Sequence, residues 1–120
     1  MTGRLVVVGM AALLLGHGAA AMADDAAKIE TGKKVYAEAK PLACKSCHSV
    51  AGVGNAKGAL DDVGSKLTAA DIKAWVRTPK EMTAKAKATR KPPMPAYPPA
   101  KISDENLDAL TAYLLSLKKK

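Results

Sequence analysis

Two cysteines and a histidine lie together in the segment Cys44-Lys45-Ser46-Cys47-His48, and this segment constrains the fold more than any other feature. A Cys-x-x-Cys-His segment is the attachment signature of a c-type haem. Its two thiols reach the two vinyl groups of one porphyrin, and the next residue lies under the iron, where its imidazole can serve as an axial ligand. We therefore predict one covalently attached haem c, with Cys44 and Cys47 as its thioether residues and His48 as one iron ligand.

The composition also favours a prosthetic group at the centre of the fold. The chain has 120 residues, with one Trp, three Tyr and no Phe, so aromatic side chains cannot supply the bulk of a core. A small domain rich in Ala and Lys is marginally stable without a cofactor or a covalent staple. The apolar macrocycle of a haem would provide a surface on which short helices pack.

The first 23 residues have the pattern of a secretory signal peptide. Arg4 precedes an almost wholly apolar run from Leu5 to Leu15, and Ala21-Met22-Ala23 forms a small-residue cleavage site. The run is too short for a spanning helix, and no later run is long enough, although an uncleaved N-terminal anchor is the alternative. We expect a signal peptide over residues 1–23, a single domain over residues 24–120, and export to the periplasm.

Removal of this leader would reduce the set of possible metal ligands. His17 would leave with it, so that His48 becomes the only histidine and Met82 and Met94 the only methionines. Two histidine ligands from one chain are then excluded, and two Cys with one His fall one ligand short of a closed zinc site. A thioredoxin-like redox pair would need a βαβ context, and a disulfide between the two cysteines would close a very small loop.

Helix signals dominate the first half of the remaining chain, and no segment has the alternation of a β-strand. Apolar and small residues recur at helical spacing from Ile29 to Ala39, and Pro41 ends this predicted helix. Residues 50–64 are rich in Gly and predict a loop around the haem edge. The sequence Thr68-Ala69-Ala70-Asp71 predicts a capping box that opens a short helix ending before Pro79.

In the second half, the pattern predicts the secondary structure of two segments and leaves that of a third open. Residues 81–91 are compatible with a surface helix or a loop, whereas the five prolines in residues 92–99 exclude a regular helix. Ser103 is placed to cap a final helix, with acidic residues in its first turn. This helix has a predicted buried stripe of Leu107, Leu110, Leu114 and Leu117.

With its elements in this order, the chain resembles the small bacterial class I cytochromes c, and the resemblance covers residues 29–118. Members of that family begin with a helix that carries a glycine and, one turn later, an aromatic residue, as Gly32 and Tyr36 do here. They end with a Leu-x-x-Tyr-Leu helix, matched by residues 110–114, and the two helices cross closely at the glycine. The resemblance implies an all-α cytochrome c fold, with three to five short helices wrapped around one covalently bound haem.

The resemblance also implies roles for three further residues. Met94, followed by Pro95, matches the segment that supplies the sixth iron ligand, and Trp75 lies where many members place a Trp against the haem edge, often bonded to a propionate. Gly58 stands where the family often has a proline whose carbonyl accepts the Nδ1 proton of the axial histidine. A glycine also has a carbonyl, so we expect the hydrogen bond to His48 to remain, with a looser loop and a shifted redox potential.

The residues themselves leave alternatives for two of these roles. The sixth ligand is Met94, Met82, a lysine or nothing at all. We favour Met94 because prolines on both sides hold it in a stiff segment, whereas a methionine in the Ala, Lys and Thr context of Met82 ordinarily packs a helix face. An open position would instead indicate a protein that binds carbon monoxide or nitric oxide, or a weak peroxidase. Trp75 is equally compatible with core packing.

The net charge indicates the type of partner. It is +8 for the whole chain and +7 once Arg4 is removed with the leader. A basic surface speeds salt-sensitive association with acidic partners, whereas the scarcity of aromatic residues disfavours nucleic-acid binding.

The family resemblance implies a function that fits this charge. We expect a soluble, monomeric, periplasmic electron carrier rather than an enzyme, shuttling single electrons between respiratory partners through a His/Met-ligated iron. Those partners are redox proteins with acidic docking faces: a quinol–cytochrome c reductase, a terminal oxidase or a periplasmic dehydrogenase. A dedicated electron-entry subunit of one enzyme complex is the alternative.

Overall fold

The computed structural model describes residues 17–119, and the side chains of residues 22–119. Within this range the chain is mainly helical, which confirms the predicted fold class. The helices are α1 (His17–Ala37), α2 (Val63–Lys66), α3 (Ala69–Arg77), α4 (Pro79–Lys85) and α5 (Asp104–Ser116). Two 3₁₀ turns and two antiparallel strands complete it: Cys44–Ser46, Ala56–Gly58, β1 (Ser49–Val50) and β2 (Val53–Gly54).

The small hairpin of β1 and β2 differs from the expectation of no strand. Ala51 and Gly52 connect the strands with φ angles of 50° and 78°, the positive values that a two-residue hairpin turn requires. The backbone N–H of Ala51 donates to the Asp61 carboxylate at 2.7 Å, which fixes this turn. The turn and the distant Asp61 carboxylate fix this hairpin, and its strands are only two residues long. Strands this short show no alternating pattern in the sequence.

The starts of two helices confirm the predicted caps. The Thr68 hydroxyl accepts a hydrogen bond from the Asp71 N–H at 3.2 Å, and the Asp71 carboxylate accepts one from the Thr68 N–H at 3.1 Å. The Ser103 hydroxyl accepts from the N–H of Asn106 at 3.2 Å at the start of α5. Each cap satisfies backbone donors that the first helical turn leaves free.

The structure also shows the conformation of residues 81–91, which the sequence left open between a helix and a loop. Residues 81–85 continue α4, and residues 88–90 have no regular structure. Residues 92–99 form neither helix nor strand, as the prolines predict. The chain between α4 and α5 therefore contains a long irregular segment that carries Met94.

The most extensive helix contact is the crossing of α1 over α5. A Cβ atom on Gly32 would overlap the carbonyl group of Ala109 and the Cβ of Tyr113, so only glycine permits this approach. The rings of Tyr36 and Tyr113 pack beside the crossing, with centroids 5.8 Å apart and planes tilted by 54°. The expected close contact at Gly32 is confirmed.

The core lies between this crossing, α3 and the segment that precedes α5. Three residues of the predicted α5 stripe are buried, and the fourth, Leu117, is half-buried. The largest cluster of buried side chains comprises Val35, Tyr36, Leu42, Ile72, Val76, Ile102, Leu107, Leu110, Tyr113 and Leu114.

The predicted leader is only partly within the described chain. The apolar run from Leu5 to Leu15 lies outside it, and the expected cleavage site after Ala23 falls inside α1. Between residues 17 and 119, no helix is both long enough and apolar enough to cross a bilayer. The signal peptide over residues 1–23 and the domain boundary at residue 24 stay predictions.

We expect Gly32→Ala to lower the free energy of unfolding by about 2 kcal/mol, because the added methyl group forces α1 away from α5. Lys33→Ala, on the exposed side of the same helix, is the control and should change the stability by less than about 0.5 kcal/mol. Denaturant unfolding followed by circular dichroism measures both. Equal stabilities for Gly32→Ala and the parent protein would contradict the close crossing.

Candidate haem site

An apolar cavity lies between α1, α3, α5 and the irregular segment before α5. Each residue that the sequence proposed as an anchor or ligand of the haem lines this cavity: Cys44, Cys47, His48 and Met94. Trp75 lines it too, whereas Met82, on α4, does not. The remaining wall is mostly aliphatic, with Leu60, Val63, Leu67, Ile72, Val76, Leu110 and Leu114.

The attachment segment is a tight turn that brings both sulfurs to the cavity. Ala43 enters it in the left-handed conformation, with φ 49° and ψ 42°. The N–H groups of Cys47 and His48 then both donate to the carbonyl of Cys44, at 3.2 and 2.9 Å. Neither cysteine forms a disulfide bond within the described residues, so both sulfurs are available for thioether bonds.

A hydrogen bond on the opposite side of its ring orients His48. Nδ1 lies 2.9 Å from the carbonyl oxygen of Gly58, so Nδ1 carries the proton and Nε2 keeps its lone pair for a metal. Burial lowers the pKa of His48 and the charge of Arg90 lowers it further, while the bond to Gly58 acts in the opposite direction. The imidazole is therefore a neutral potential ligand.

The packing of Gly58 gives a physical reason for the glycine at a position where the family often has proline. A Cβ atom there would overlap the carbonyl oxygen of Cys47 and the guanidinium of Arg90. The carbonyl of Gly58 nevertheless reaches His48, which is the contact that the sequence predicted for it. In this chain a ring at position 58 would displace the Arg90 guanidinium and the Cys47 carbonyl.

Met94 is half-buried against the core, in a segment that is fixed just after it. Tyr97 donates its N–H to the carbonyl of Val76 at 2.9 Å and its hydroxyl to the carbonyl of Leu42 at 2.8 Å. Arg77 donates to the carbonyl of Tyr97 at 2.9 Å. These bonds hold the segment against α3 three residues beyond Met94.

Sequence reasoning missed Arg77 and Arg90 as parts of the site. Arg77 also donates to the carbonyl of Ile102 at 2.8 Å and pairs with Asp104 at 2.7 Å, and its side chain is only 19% exposed. Arg90 donates to the carbonyl of Cys47. In the sequence, both are ordinary basic residues among many, and their partners are 20 to 43 positions away.

The residues of the cavity fit a covalently bound haem. Two thiols, one neutral imidazole and one thioether meet in an apolar space. A c-type haem uses two thiols for its covalent attachment, and an imidazole and a thioether can serve as its iron ligands. The Tyr36 hydroxyl is buried with no hydrogen-bond partner among the described residues, and burial raises its pKa to about 12. It thus stays protonated and is free to donate to a polar group or water beside the haem. The roles of His48, Met94, Trp75 and Gly58 toward the haem stay predictions.

A helical fold around a cavity with this attachment turn defines a covalent haem protein. The family model for cytochrome c matches residues 29–118, and the chain belongs to the cytochrome c family. It has the class I cytochrome c fold and binds covalently attached haem c, with Cys44 and Cys47 in the attachment motif. Haem-based electron transfer with redox partners is therefore its general function.

One curated relative is similar over most of this chain. Cytochrome c oxidase subunit 2 of Alkalihalophilus pseudofirmus is 34% identical over 96 residues, which cover 72% of this chain and 25% of that protein. The chain thus matches about a quarter of the length of that relative. No solved structure matches it.

Proposed function

We propose that this protein is a periplasmic electron carrier of a respiratory chain, with one haem iron held by His48 and Met94. The observation that carries this proposal is the place of Met94. Its side chain lines the same cavity as His48 and the two cysteines, whereas Met82 lies outside the cavity wall. The competing proposal of an open sixth position would leave this half-buried thioether without a role.

The haem, when bound, supplies one-electron chemistry at its iron, and histidine with methionine as ligands raises its potential. The chain contributes the surroundings. The carbonyl of Gly58 holds the proton of His48 on Nδ1 and leaves the lone pair of Nε2 free, so that His48 would hold the iron through Nε2. Aliphatic walls from α2, α3 and α5 exclude water, which limits rearrangement when an electron arrives or leaves. With His48 and Met94 both holding the iron, a substrate would have no access to the metal, so the proposed role is that of a carrier and not an enzyme.

The likeness to part of cytochrome c oxidase subunit 2 supports a terminal oxidase as the partner. A quinol–cytochrome c reductase or a periplasmic dehydrogenase would serve as the electron donor. The formal charge, +7 once Arg4 is removed with the leader, would attract an acidic docking face on such a partner. A permanent subunit of one complex is the second form of this proposal, and tight co-purification with that complex would distinguish it.

Electron transfer from the reduced protein to an acidic terminal oxidase should slow markedly with added salt. The screening length falls from about 30 Å at 0.01 M to about 8 Å at 0.15 M, and electrostatic steering raises association rates by about tenfold or more. We expect at least about a tenfold loss of the second-order rate in stopped-flow experiments over that range. Oxidation by an uncharged small molecule is the control and should not respond to salt. No electron transfer to any oxidase would contradict the proposed partner, and salt-independent transfer would contradict steering.

A further inference from the structure

The guanidinium of Arg90 lies against the haem-attachment turn. Its Nη2 donates to the carbonyl oxygen of Cys47 at 2.5 Å, and its Nη1 occupies the space that a Cβ atom of Gly58 would need. The side chain also lines the cavity. Arg90 itself belongs to the irregular segment, four residues before Met94. One side chain thus joins the segment of one proposed iron ligand to the turn that ends in the other, His48.

We propose that Arg90 is a positioning residue: it ties the Met94 segment to the attachment turn and so keeps the methionine on the iron. This inference rests on the proposed His/Met ligation. Nothing in the local sequence around Arg90 indicates this role.

The hydrogen bonds around Met94 explain why this tie matters. Downstream of Met94 the segment is fixed by Tyr97, whose bonds to Val76, Leu42 and Arg77 are at least partly buried. Upstream, within the described part of the chain, Arg90 makes the one hydrogen bond that joins residues 87–93 to anything beyond α4. Without Arg90, residues 89–93 keep their packing at the cavity but lose the hydrogen bond that joins them to the attachment turn, so the thioether of Met94 is held less firmly.

The glycine at position 58 and Arg90 belong to one arrangement. Because Gly58 has no side chain, the guanidinium reaches the Cys47 carbonyl through the space beside it. A proline there would rigidify its own loop but would exclude Arg90. In this chain the loop that supports His48 has no proline to stiffen it at position 58. A hydrogen bond from Arg90, in the Met94 segment, to the attachment turn serves instead.

The charge of Arg90 has a second, separable consequence. Oxidation adds one positive charge at the iron, and a guanidinium beside the attachment turn opposes this. Arg90 should thus raise the reduction potential, although its exposure to solvent weakens the effect. The hydrogen bond acts on the ligand geometry, and the charge acts on the potential.

The test uses the full haem-loaded protein and three variants. Arg90→Met removes both the charge and the hydrogen bond, Arg90→Lys keeps the charge without the fork geometry, and Lys91→Met removes an adjacent exposed charge as the control. Displacement of the sixth ligand is measured by titrating the ferric protein with imidazole, and the midpoint potential by redox titration. Circular dichroism and haem content verify folding, and Arg90→Gln replaces Arg90→Met if the latter loads poorly.

We expect imidazole to bind Arg90→Met about tenfold more tightly than wild type, as the loss of one charge-assisted hydrogen bond implies. Arg90→Lys should bind imidazole nearly as tightly as Arg90→Met but keep a potential close to that of the wild type. Lys91→Met should leave imidazole affinity unchanged within about twofold.

Two results would overturn the proposal in distinguishable ways. If the wild-type ferric spectrum has the methionine-to-iron charge-transfer band and Arg90→Met binds imidazole no better than Lys91→Met, the role of Arg90 is wrong and the His/Met ligation stands. If the wild type lacks that band and binds imidazole as tightly as every variant, the ligation is wrong, and the role of Arg90 falls with it.

Discussion

Met94→Ala is expected to open the sixth coordination position, so that the ferrous protein binds carbon monoxide while the wild type does not. Among the described residues, Met94 is the methionine that lines the cavity, and alanine at this position cannot reach the metal. The ferric protein should lose its methionine-to-iron charge-transfer band, and the midpoint potential should fall because a thioether favours the ferrous state. Absorption spectra with and without carbon monoxide measure the first effect directly.

Met82→Ala is the matched control for this substitution. Met82 is a half-buried residue of α4 that does not line the cavity, so its loss should leave spectrum, potential and ligand affinity unchanged. A band that survives in Met94→Ala and disappears in Met82→Ala would reverse the assignment of the ligand.

We expect the replacement of either attachment cysteine to lower the cellular yield of haem-loaded protein strongly. The Cys44 and Cys47 sulfurs lie in one tight turn at the cavity, so one remaining thioether holds the group less securely. A small domain whose core depends on its cofactor then loses much of its stability. Cys47→Ala should retain one thioether, and the double variant Cys44→Ala/Cys47→Ala should contain no covalently bound haem.

Ser46→Ala is the control for the cysteine substitutions, because Ser46 is an exposed residue between them. Its variant should give wild-type yield. The readouts are the mass of the purified protein and the haem that remains after acid–acetone extraction. A double variant that still carries extraction-resistant haem would contradict attachment through these sulfurs.

The parts of the fold that the sequence predicted are those set by local interactions. The capping box of Thr68 and Asp71 depends on residues three positions apart, and the prolines of residues 92–99 exclude a helix wherever they lie. The close crossing at Gly32 followed only from the family resemblance, because nothing in the local sequence of α1 identifies Ala109 as its partner.

The parts that the sequence did not predict depend on distant partners. Arg77 is fixed by carbonyls 20 and 25 positions away, and Arg90 by one 43 positions away. The β-hairpin depends on a carboxylate ten positions from its turn. Such contacts appear only once α1, α3 and α5 are packed. The preference for Met94 over Met82 came from the flanking prolines, and the position of the cavity supports it.

The central claim is that His48 and Met94 both hold the haem iron, so that the protein only exchanges electrons. Its most direct test is a redox titration of the purified protein with and without carbon monoxide. A ligand that binds only the ferrous iron raises the midpoint potential by about 59 mV for each tenfold excess over its dissociation constant. With His48 and Met94 on the iron, the two titrations should give the same one-electron curve at neutral pH. A potential that rises with carbon monoxide would mean an open iron, and the assignment as an electron carrier would be wrong.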